Sequence, residues 1–515
     1  MMAICACVVA LSGCATMRSD VPRVASHAIA DAADTTLGRV LAQAAAQYPG
    51  LSGFQVMADG HAAFVTRTAL ADAAERTLDL QYYSVGDDLT TDLLLLRIIA
   101  AAERGVRVRI LLDDIHPPSR MFARRAIAAN PSIQVRLFNP FLFGGASSLG
   151  RLGEFLFDSE RLNRRMHNKL WVTDNAVAIV GSRNLADEYF SANASVNFYD
   201  LDLLAAGPIV KELSGSFDVY WNNRAAVPIE AFANLPDSAE AASVHEELRV
   251  IKAGCDQTPP CHWLDEGGLL TALRSGSVSL SWGKAQLISD LPDQQKSSVA
   301  SGIEHGSIED HPGGARTQAE LLIMSPYFVP SQEGLRHLGE MRERGVRVAV
   351  LTNSLASTDS PAAHTGYARH RAALLRTGVE LYEVRPESRL RHRFSHRWIH
   401  RSLSSLHAKL IVQDRSRAIV GSLNQDPRSR LHNTEAWIVL DNAELAADLA
   451  ALFEEGIDLQ HVFRVKANPV GGKDALQWQT EEDGRPMRYD TEPMTGFWTR
   501  LLQDVLGGLI PEHML

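Results

Sequence analysis

Met166 to Asn184 reads MHNKLWVTDNAVAIVGSRN. Leu170 and Val172 stand two apart before Asp174-Asn175, and Val177 and Ile179 two apart after it. That pattern predicts two half-buried strands joined by a tight turn. On a strand, His167 and Lys169 are two apart and point to one face. The chain leaves the second strand through Gly181-Ser182 and presents Asn184 before a helix-like run, LADEYF. One face then offers an imidazole, an ammonium and a carboxamide. Such a set suits the binding and attack of a phosphoryl group.

The pattern recurs at Ser405 to Asn424, SLHAKLIVQDRSRAIVGSLN. From His167 to His407 the offset is 240, and Lys409, Asp414, Gly421, Ser422 and Asn424 keep it from Lys169, Asp174, Gly181, Ser182 and Asn184. Arg104-Gly105-Val106-Arg107-Val108 returns in the same register at Arg344 to Val348. Matches at one fixed offset mark a duplication.

Each copy has the same surroundings. TLDLQYYSV reads as a strand, Thr91 to Arg104 as an amphipathic helix, and RGVRVRILLDD as a buried strand. AELLIMSPYFVP, SQEGLRHLGEMRER and RGVRVAVLTNS repeat that order. Strands alternating with helices predict an α/β fold whose mixed, mostly parallel sheet is flanked by helices. At 515 residues the chain is too long for one core.

Net charge is −10, with 45% hydrophobic and 22% charged residues. A dedicated nucleic-acid binder carries a basic surplus, so none is expected as partner. The first 13 residues are apolar but too short to span a bilayer. They fit a secretion signal, and Leu11-Ser12-Gly13-Cys14 resembles the bacterial lipobox. That resemblance implies cleavage before Cys14, lipidation there, and a lipoprotein of the cell envelope facing the periplasm. Ala15, in place of an aspartate, favours the outer membrane. Cys255 and Cys261, six apart across Pro259-Pro260, suit a local disulfide in an oxidising compartment. A metal site with His262 is the rival, and it lacks further nearby ligands.

The doubled H-x-K-x4-D with G-S-x-N resembles the mark of the phospholipase D superfamily. More narrowly, DLQYYSVGDD, RGVRVRILLDD, VRLFNPF, LNRRMHNK and DEYF resemble the bacterial cardiolipin synthases of the C type. The resemblance implies two pseudo-symmetric lobes with the active site at their interface. It implies His167 as nucleophile and His407 as general acid and base, through a phosphohistidine. Near-symmetry of the two copies leaves the order of the histidines open. Lys169, Lys409, Asn184 and Asn424 would hold the phosphate, with Ser182 and Ser422 assisting. Asp174 and Asp414 complete the catalytic motifs, in a structural hydrogen-bonding role. A carboxylate on the next strand backs each histidine in such proteins. Glu435 and Asp200 are the candidates, with Asp202 as the fallback. His61, His116, His364 and His370 fall outside the pattern and default to surface or packing roles. No cofactor or metal is called for.

The implied reaction transfers a phosphatidyl group to phosphatidylglycerol, from phosphatidylglycerol or phosphatidylethanolamine, at a membrane surface. Hydrolysis of phospholipids is the alternative, and a phosphodiesterase or nuclease the remoter one. Neither donor nor protein partner is legible. The expected organisation is a signal peptide at 1–13, a linker at 14–60, lobes at 61–237 and 318–466, a linker and peripheral region at 238–317, and a C-terminal extension at 467–515 packed on the lobes. Arg161, Arg164 and Arg165, and the run Arg389 to Arg401, flank the motifs and would attract anionic head groups. Phe138 to Phe157 reads as a membrane-contacting loop, because glycines break every period there. TGFWTRLLQDVLGGL reads as an amphipathic helix packed on the second lobe.

Overall fold

The first motif forms its hairpin because Asp174 and Asn175 both take left-handed backbone angles, φ 54° and 49°. Two such residues make the turn whose twist matches paired strands. Asp414 and Arg415 do the same at 50° and 49°. The computed structural model describes residues 17–18, 20–142, 148–232, 236–255, 258–265, 268–275, 277–293, 317–387, 402–468 and 475–509. The signal peptide, Cys14 and the basic run Arg389 to Arg401 lie outside them.

In the first half the strands are β1 (Ser52–Met57), β2 (Thr77–Tyr82), β3 (Arg107–Asp113), β4 (Gln134–Phe138), β5 (Leu170–Thr173), β6 (Val177–Gly181), β7 (Val196–Tyr199), β8 (Asp202–Ala206) and β9 (Ala226–Pro228). β10 (Ser281–Ser289) follows in the connecting region. The second half holds β11 (Glu320–Met324), β12 (Arg347–Asn353), β13 (Glu380–Val384), β14 (Leu403–Leu406), β15 (Leu410–Gln413), β16 (Arg417–Gly421), β17 (Ala436–Asp441), β18 (Val462–Ala467), β19 (Leu476–Glu482) and β20 (Arg485–Tyr489). All but β7 and β14 join one 18-stranded sheet. Its spatial order is β9-β4-β3-β2-β5-β6-β8-β1-β10-β17-β16-β15-β11-β12-β13-β18-β19-β20. The order is nearly palindromic about the β1–β10 pair, where the two lobes meet.

The sheet is mixed, but the expectation of mostly parallel strands is corrected. Within it, only β2-β3-β4 and β11-β12-β13 run parallel. Those are the strands joined by helical crossovers, such as Leu89–Glu103 and Gln332–Glu343. The others are joined by turns or close the sheet edge to edge, and pair antiparallel. These two crossover helices are each capped by an acceptor side chain: Asp88 takes the Thr91 N–H at 3.1 Å and Ser331 the Gly334 N–H at 3.0 Å. Each ends at the glycine of the RGVRV repeat. Gly105 and Gly345 have φ of 90° and 85°, which a side chain would resist.

Three apolar cores hold the layers. The helices Gly60–Ala73, Leu89–Glu103 and Pro117–Ala129 cover one face of the first-lobe strands. The matching second-lobe core packs Leu338, Tyr367 and Leu374 on β11 to β13. Between the sheets lies a shared core. Leu111, Leu170 and Val172 meet Leu322, Leu351 and Leu410, with the helices Pro208–Trp221 and Ala443–Gly456. The lobes are thus joined as a domain interior is, by buried apolar surface.

Two expected boundaries change. Residues 14–60 are not merely a linker, since they contain the helix Thr36–Ala45 and β1. The region 238–317 is not merely peripheral, since it supplies β10, which pairs with β1 on one side and β17 on the other. Cys255 and Cys261 form a disulfide with Cα atoms 5.4 Å apart. The C-terminal helix Phe497–Leu509 packs on Pro361–Thr377.

Candidate active site

β5 and β15 start just after the motif histidines, and two short ladders cross between lobes beside them. The His167 N–H donates to the Thr434 carbonyl at 2.9 Å, and the Thr434 N–H to Arg165 O at 2.8 Å. β7 pairs in parallel with β14, and the His407 N–H donates to Tyr199 O at 2.8 Å. Each histidine is therefore fixed by backbone of the opposite lobe.

The carboxylates follow those ladders. Nδ1 of His167 lies 2.9 Å from Oε2 of Glu435, and Nδ1 of His407 lies 2.8 Å from Oδ2 of Asp200. The partners are exchanged across the pseudo-twofold, not supplied from the same lobe. A carboxylate on Nδ1 holds a proton there and leaves Nε2 as the reactive nitrogen. Asp202, the fallback, is elsewhere: it pairs with Arg67 at 2.8 Å and neighbours Arg183 at 3.7 Å.

Ser182 and Ser422 are also reassigned. Their hydroxyls donate to Asp200 and Glu435, so they fix the carboxylates rather than a phosphate. The glycines before them allow this approach: a Cβ at Gly181 would stand 2.5 Å from Leu201 O, and one at Gly421 2.3 Å from Ala436 O. Asp174 and Asp414 are turn anchors away from the chemistry. Asp174 accepts from the N–H groups of Glu75, Arg76 and Thr77 at 3.0, 2.7 and 2.8 Å. Asp414 accepts from Gln318, Ala319 and Glu320 at 2.8, 2.7 and 2.9 Å.

The lysines and asparagines surround the histidines. Lys169 Nζ donates to His167 O at 2.6 Å, and Lys409 Nζ to His407 O at 2.7 Å. Each ammonium keeps donors for an anion. Asn184 accepts from the Ser84 N–H at 3.3 Å and donates to the Tyr189 hydroxyl at 3.0 Å. The buried Oδ1 of Asn424 has no hydrogen-bond partner among the described residues.

Burial sets the protonation states. His167 is 6% and His407 5% exposed. Burial pushes the His167 imidazole well below its usual value, and Lys169 and Lys409 push it further. Burial and Lys409 lower His407 against the pull of Asp200. Burial lowers the Lys409 ammonium to about 8 and takes Lys169 well below its usual value. Burial alone would raise the Asp200 carboxyl, but His407, Arg183 and Lys409 outweigh it and hold it ionised.

Residues outside the motifs complete the pocket. Tyr83 stands edge-on to His167 at 4.8 Å, and His116 to Tyr83 at 5.4 Å, so His116 is a neighbour of the site. Tyr189 and Phe198 each lie 5.2 Å from the His407 ring. YYSV and DEYF carried that signal, as aromatic residues at the C-terminal end of a strand and just past a motif. His364 is buried between Arg371 and Glu492, in a packing role. His61 stands edge-on to Trp263, 4.8 Å away.

The arrangement defines a two-lobed phosphoryl-transfer enzyme with one site built from both halves. The family model described as "Cardiolipin synthase, PLD-like domain" matches residues 68–221 and 315–457. The chain belongs to that family, among the phospholipid phosphatidyltransferases of the phospholipase D superfamily. It is 35% identical to cardiolipin synthase C of Escherichia coli K12, over 91% of this chain and 97% of that one. It is 25% identical to cardiolipin synthase A of Pectobacterium carotovorum, over 74% and 62% of the two chains. The phosphatidylserine synthase of Haemophilus influenzae shares the fold, with a TM-score of 0.57 at 14% identity over 92% of this chain and 100% of that one.

Proposed function

We propose that the protein moves a phosphatidyl group onto a hydroxyl of phosphatidylglycerol, forming cardiolipin. The exchanged carboxylates carry this reading, because they prepare two Nε2 atoms in one pocket for opposite roles. His167, neutral in its buried site, attacks phosphorus. The bond from phosphorus to the leaving alcohol breaks as the N–P bond forms. His407 gives its proton to the departing oxygen, having been charged by the arriving anion. In the second half His407 takes the proton of the acceptor hydroxyl, the new O–P bond forms, and His167 is released. Lys169, Lys409, Asn184 and Asn424 neutralise the equatorial oxygens. Each histidine is nearly out of water, which favours an alcohol over hydrolysis.

A membrane supplies both lipids, and one helix suits its surface. Ser148–Phe157 is built inside out. Arg151 reaches inward to Asp114 O at 2.7 Å, and Glu154 accepts from the Leu142 N–H at 2.8 Å. Leu149, Leu152, Leu156 and Phe157 point outward, with Phe157 95% exposed. On the second lobe Phe497, Trp498, Leu501, Leu502 and Val505 of the C-terminal helix are exposed too. Packing on the lobe therefore coexists with an apolar outer face. Helix Ser148–Phe157 follows β4, so it belongs to the strand ends that carry the site, while the C-terminal helix packs on Pro361–Thr377 of the second lobe. Anchoring would come from a lipid on Cys14, since among the described residues no helix is long and apolar enough to cross a membrane.

The test gives purified protein phosphatidylglycerol, with and without phosphatidylethanolamine, and resolves the products. Cardiolipin is expected. Phosphatidic acid alone would replace the reading with hydrolysis. Acid quenching of the His407→Ala variant with labelled donor should trap label on His167.

A further inference from the structure

The pocket's pseudo-symmetry is broken by charge at one pair of positions. Glu188 and Arg428 occupy the same place in the two copies, at the offset of 240 that relates the motifs, four residues beyond Asn184 and Asn424. Neither has an ion-pair partner among the described residues.

They serve opposite histidines. Glu188 lies in the turn Asp187–Tyr189, whose Tyr189 ring stands edge-on to His407. Arg428 lies in the turn Pro427–Leu431, and its carbonyl accepts from the N–H groups of His432 and Asn433 at 2.9 and 3.0 Å. The next residue, Thr434, is paired with His167. The charge of Arg428 reaches Tyr83, the ring against His167.

A second acid reinforces the His407 side. The Tyr327 hydroxyl donates to Asp359 Oδ2 at 2.8 Å. Tyr327 precedes Phe328, which bridges to Gln425 beside Asn424. Asp359 follows the loop from Asn353, whose carboxamide takes the Leu406 N–H at 2.8 Å and donates to Leu406 O at 2.9 Å, directly before His407. Asp359 is exposed, while Asn424 Oδ1 is buried and has no partner among the described residues.

We propose that Glu188, Asp359 and Tyr327 form a subsite for the alcohol that leaves and the alcohol that replaces it, while Arg428 holds the anionic phosphatidyl end on the His167 side. Acids accept hydrogen bonds from the hydroxyls of a polyol, such as the glycerol head of phosphatidylglycerol, or from an ammonium head group. The polarity also orders the histidines. The alcohol pole lies at His407, the acid and base, and the in-line nucleophile is His167. This inference rests on the phosphatidyl transfer proposed above and adds the chemical class of its alcohol.

The experiment supplies full-length protein with phosphatidylglycerol in detergent micelles and radiolabelled glycerol. It reads the ratio of labelled phosphatidylglycerol to phosphatidic acid. Both products come from one preparation, so a smaller folded fraction does not alter the ratio. Glu188→Gln and Asp359→Asn should each lower this ratio about tenfold, the effect of one lost charge-assisted hydrogen bond. Glu188→Asp should restore part of it. Arg428→Gln should raise the donor KM while moving the ratio by less than about twofold, because it acts on the other pole. Unchanged ratios in the two acidic variants, or an equal fall in Arg428→Gln, would overturn the subsite. A wild type that yields neither product removes the transfer reading, and this inference falls with it.

Discussion

Asp200 and His407 are joined across the two lobes, Oδ2 to Nδ1 at 2.8 Å, although 207 residues separate them. Glu435 and His167 make the reciprocal pair. A carboxylate lost from one lobe should therefore disable the histidine of the other. Asp200→Asn and Glu435→Gln are each expected to lower kcat by about a hundredfold to ten-thousandfold, through the wrong tautomer and orientation. With labelled donor, Glu435→Gln should fail to form the phosphohistidine, while Asp200→Asn should form it slowly and then stall in resolving it, since His407 serves both halves of the reaction. Identical behaviour at both steps would contradict the exchange as a division of labour.

Lys409 supplies an alkaline limit. Burial brings its ammonium down to about 8. It is charged below that pH and loses its charge above, so phosphate neutralisation is lost as pH rises. A profile of kcat/KM, which reports the free enzyme, should bend near 8 and fall about tenfold per unit beyond it. In kcat the bend should move upward, since a bound anion favours the charged lysine. A kcat/KM profile flat to pH 10 would refute the assignment.

The motif aspartates are predicted to affect stability before chemistry. Asp174→Ala removes an acceptor from three backbone N–H groups. The expected loss is about 2 to 4 kcal/mol, for charge-assisted bonds in a buried turn. Asp414→Ala should cost a similar amount in the second lobe. Urea unfolding checks both, and kcat per folded molecule should change far less than in the histidine variants.

The inside-out helix gives a prediction at the lipid surface. Leu152→Glu with Leu156→Glu should lower binding to phosphatidylglycerol vesicles by about a hundredfold, from the apolar burial lost. Activity on a short-chain, monomeric donor should fall far less. Equal losses on both substrates would mean that the helix acts on the site rather than on the membrane.

How much of this was legible in the sequence varied with the physics of each part. The hairpins, the crossovers and the two-lobed site follow from local periodicity, the Asp174 and Asp414 turns, and the repeat. β1, SGFQVM, and β10, SWGKAQLIS, were missed because neither shows a clean buried-exposed alternation, β10 is largely half-buried, and both sit in loop-like composition. Their pairing is long-range and leaves little local mark. Asp200 and Glu435 could be named from the sequence, but not which histidine each lies against. In a near-symmetric pair, Asp200 reads the same whether it serves His167 or His407. The serines were misassigned because a hydroxyl beside a phosphate motif and one beside a carboxylate look alike in sequence. Phe138 to Phe157 was expected as a loop, since its glycines hid the helix Ser148–Phe157.

The β7–β14 and β1–β10–β17 pairings have a consequence in time. Ribosomes add roughly 5 to 20 residues per second, so on the order of ten to fifty seconds separate the two halves as they are made. Until β14 and β17 exist, Asp200 has no imidazole, His167 no carboxylate, and β10 one bare edge. The nascent first lobe is chemically silent. A cell making this enzyme is spared a half-built catalyst loose among its own lipids, because the reaction is switched on by completion of the fold.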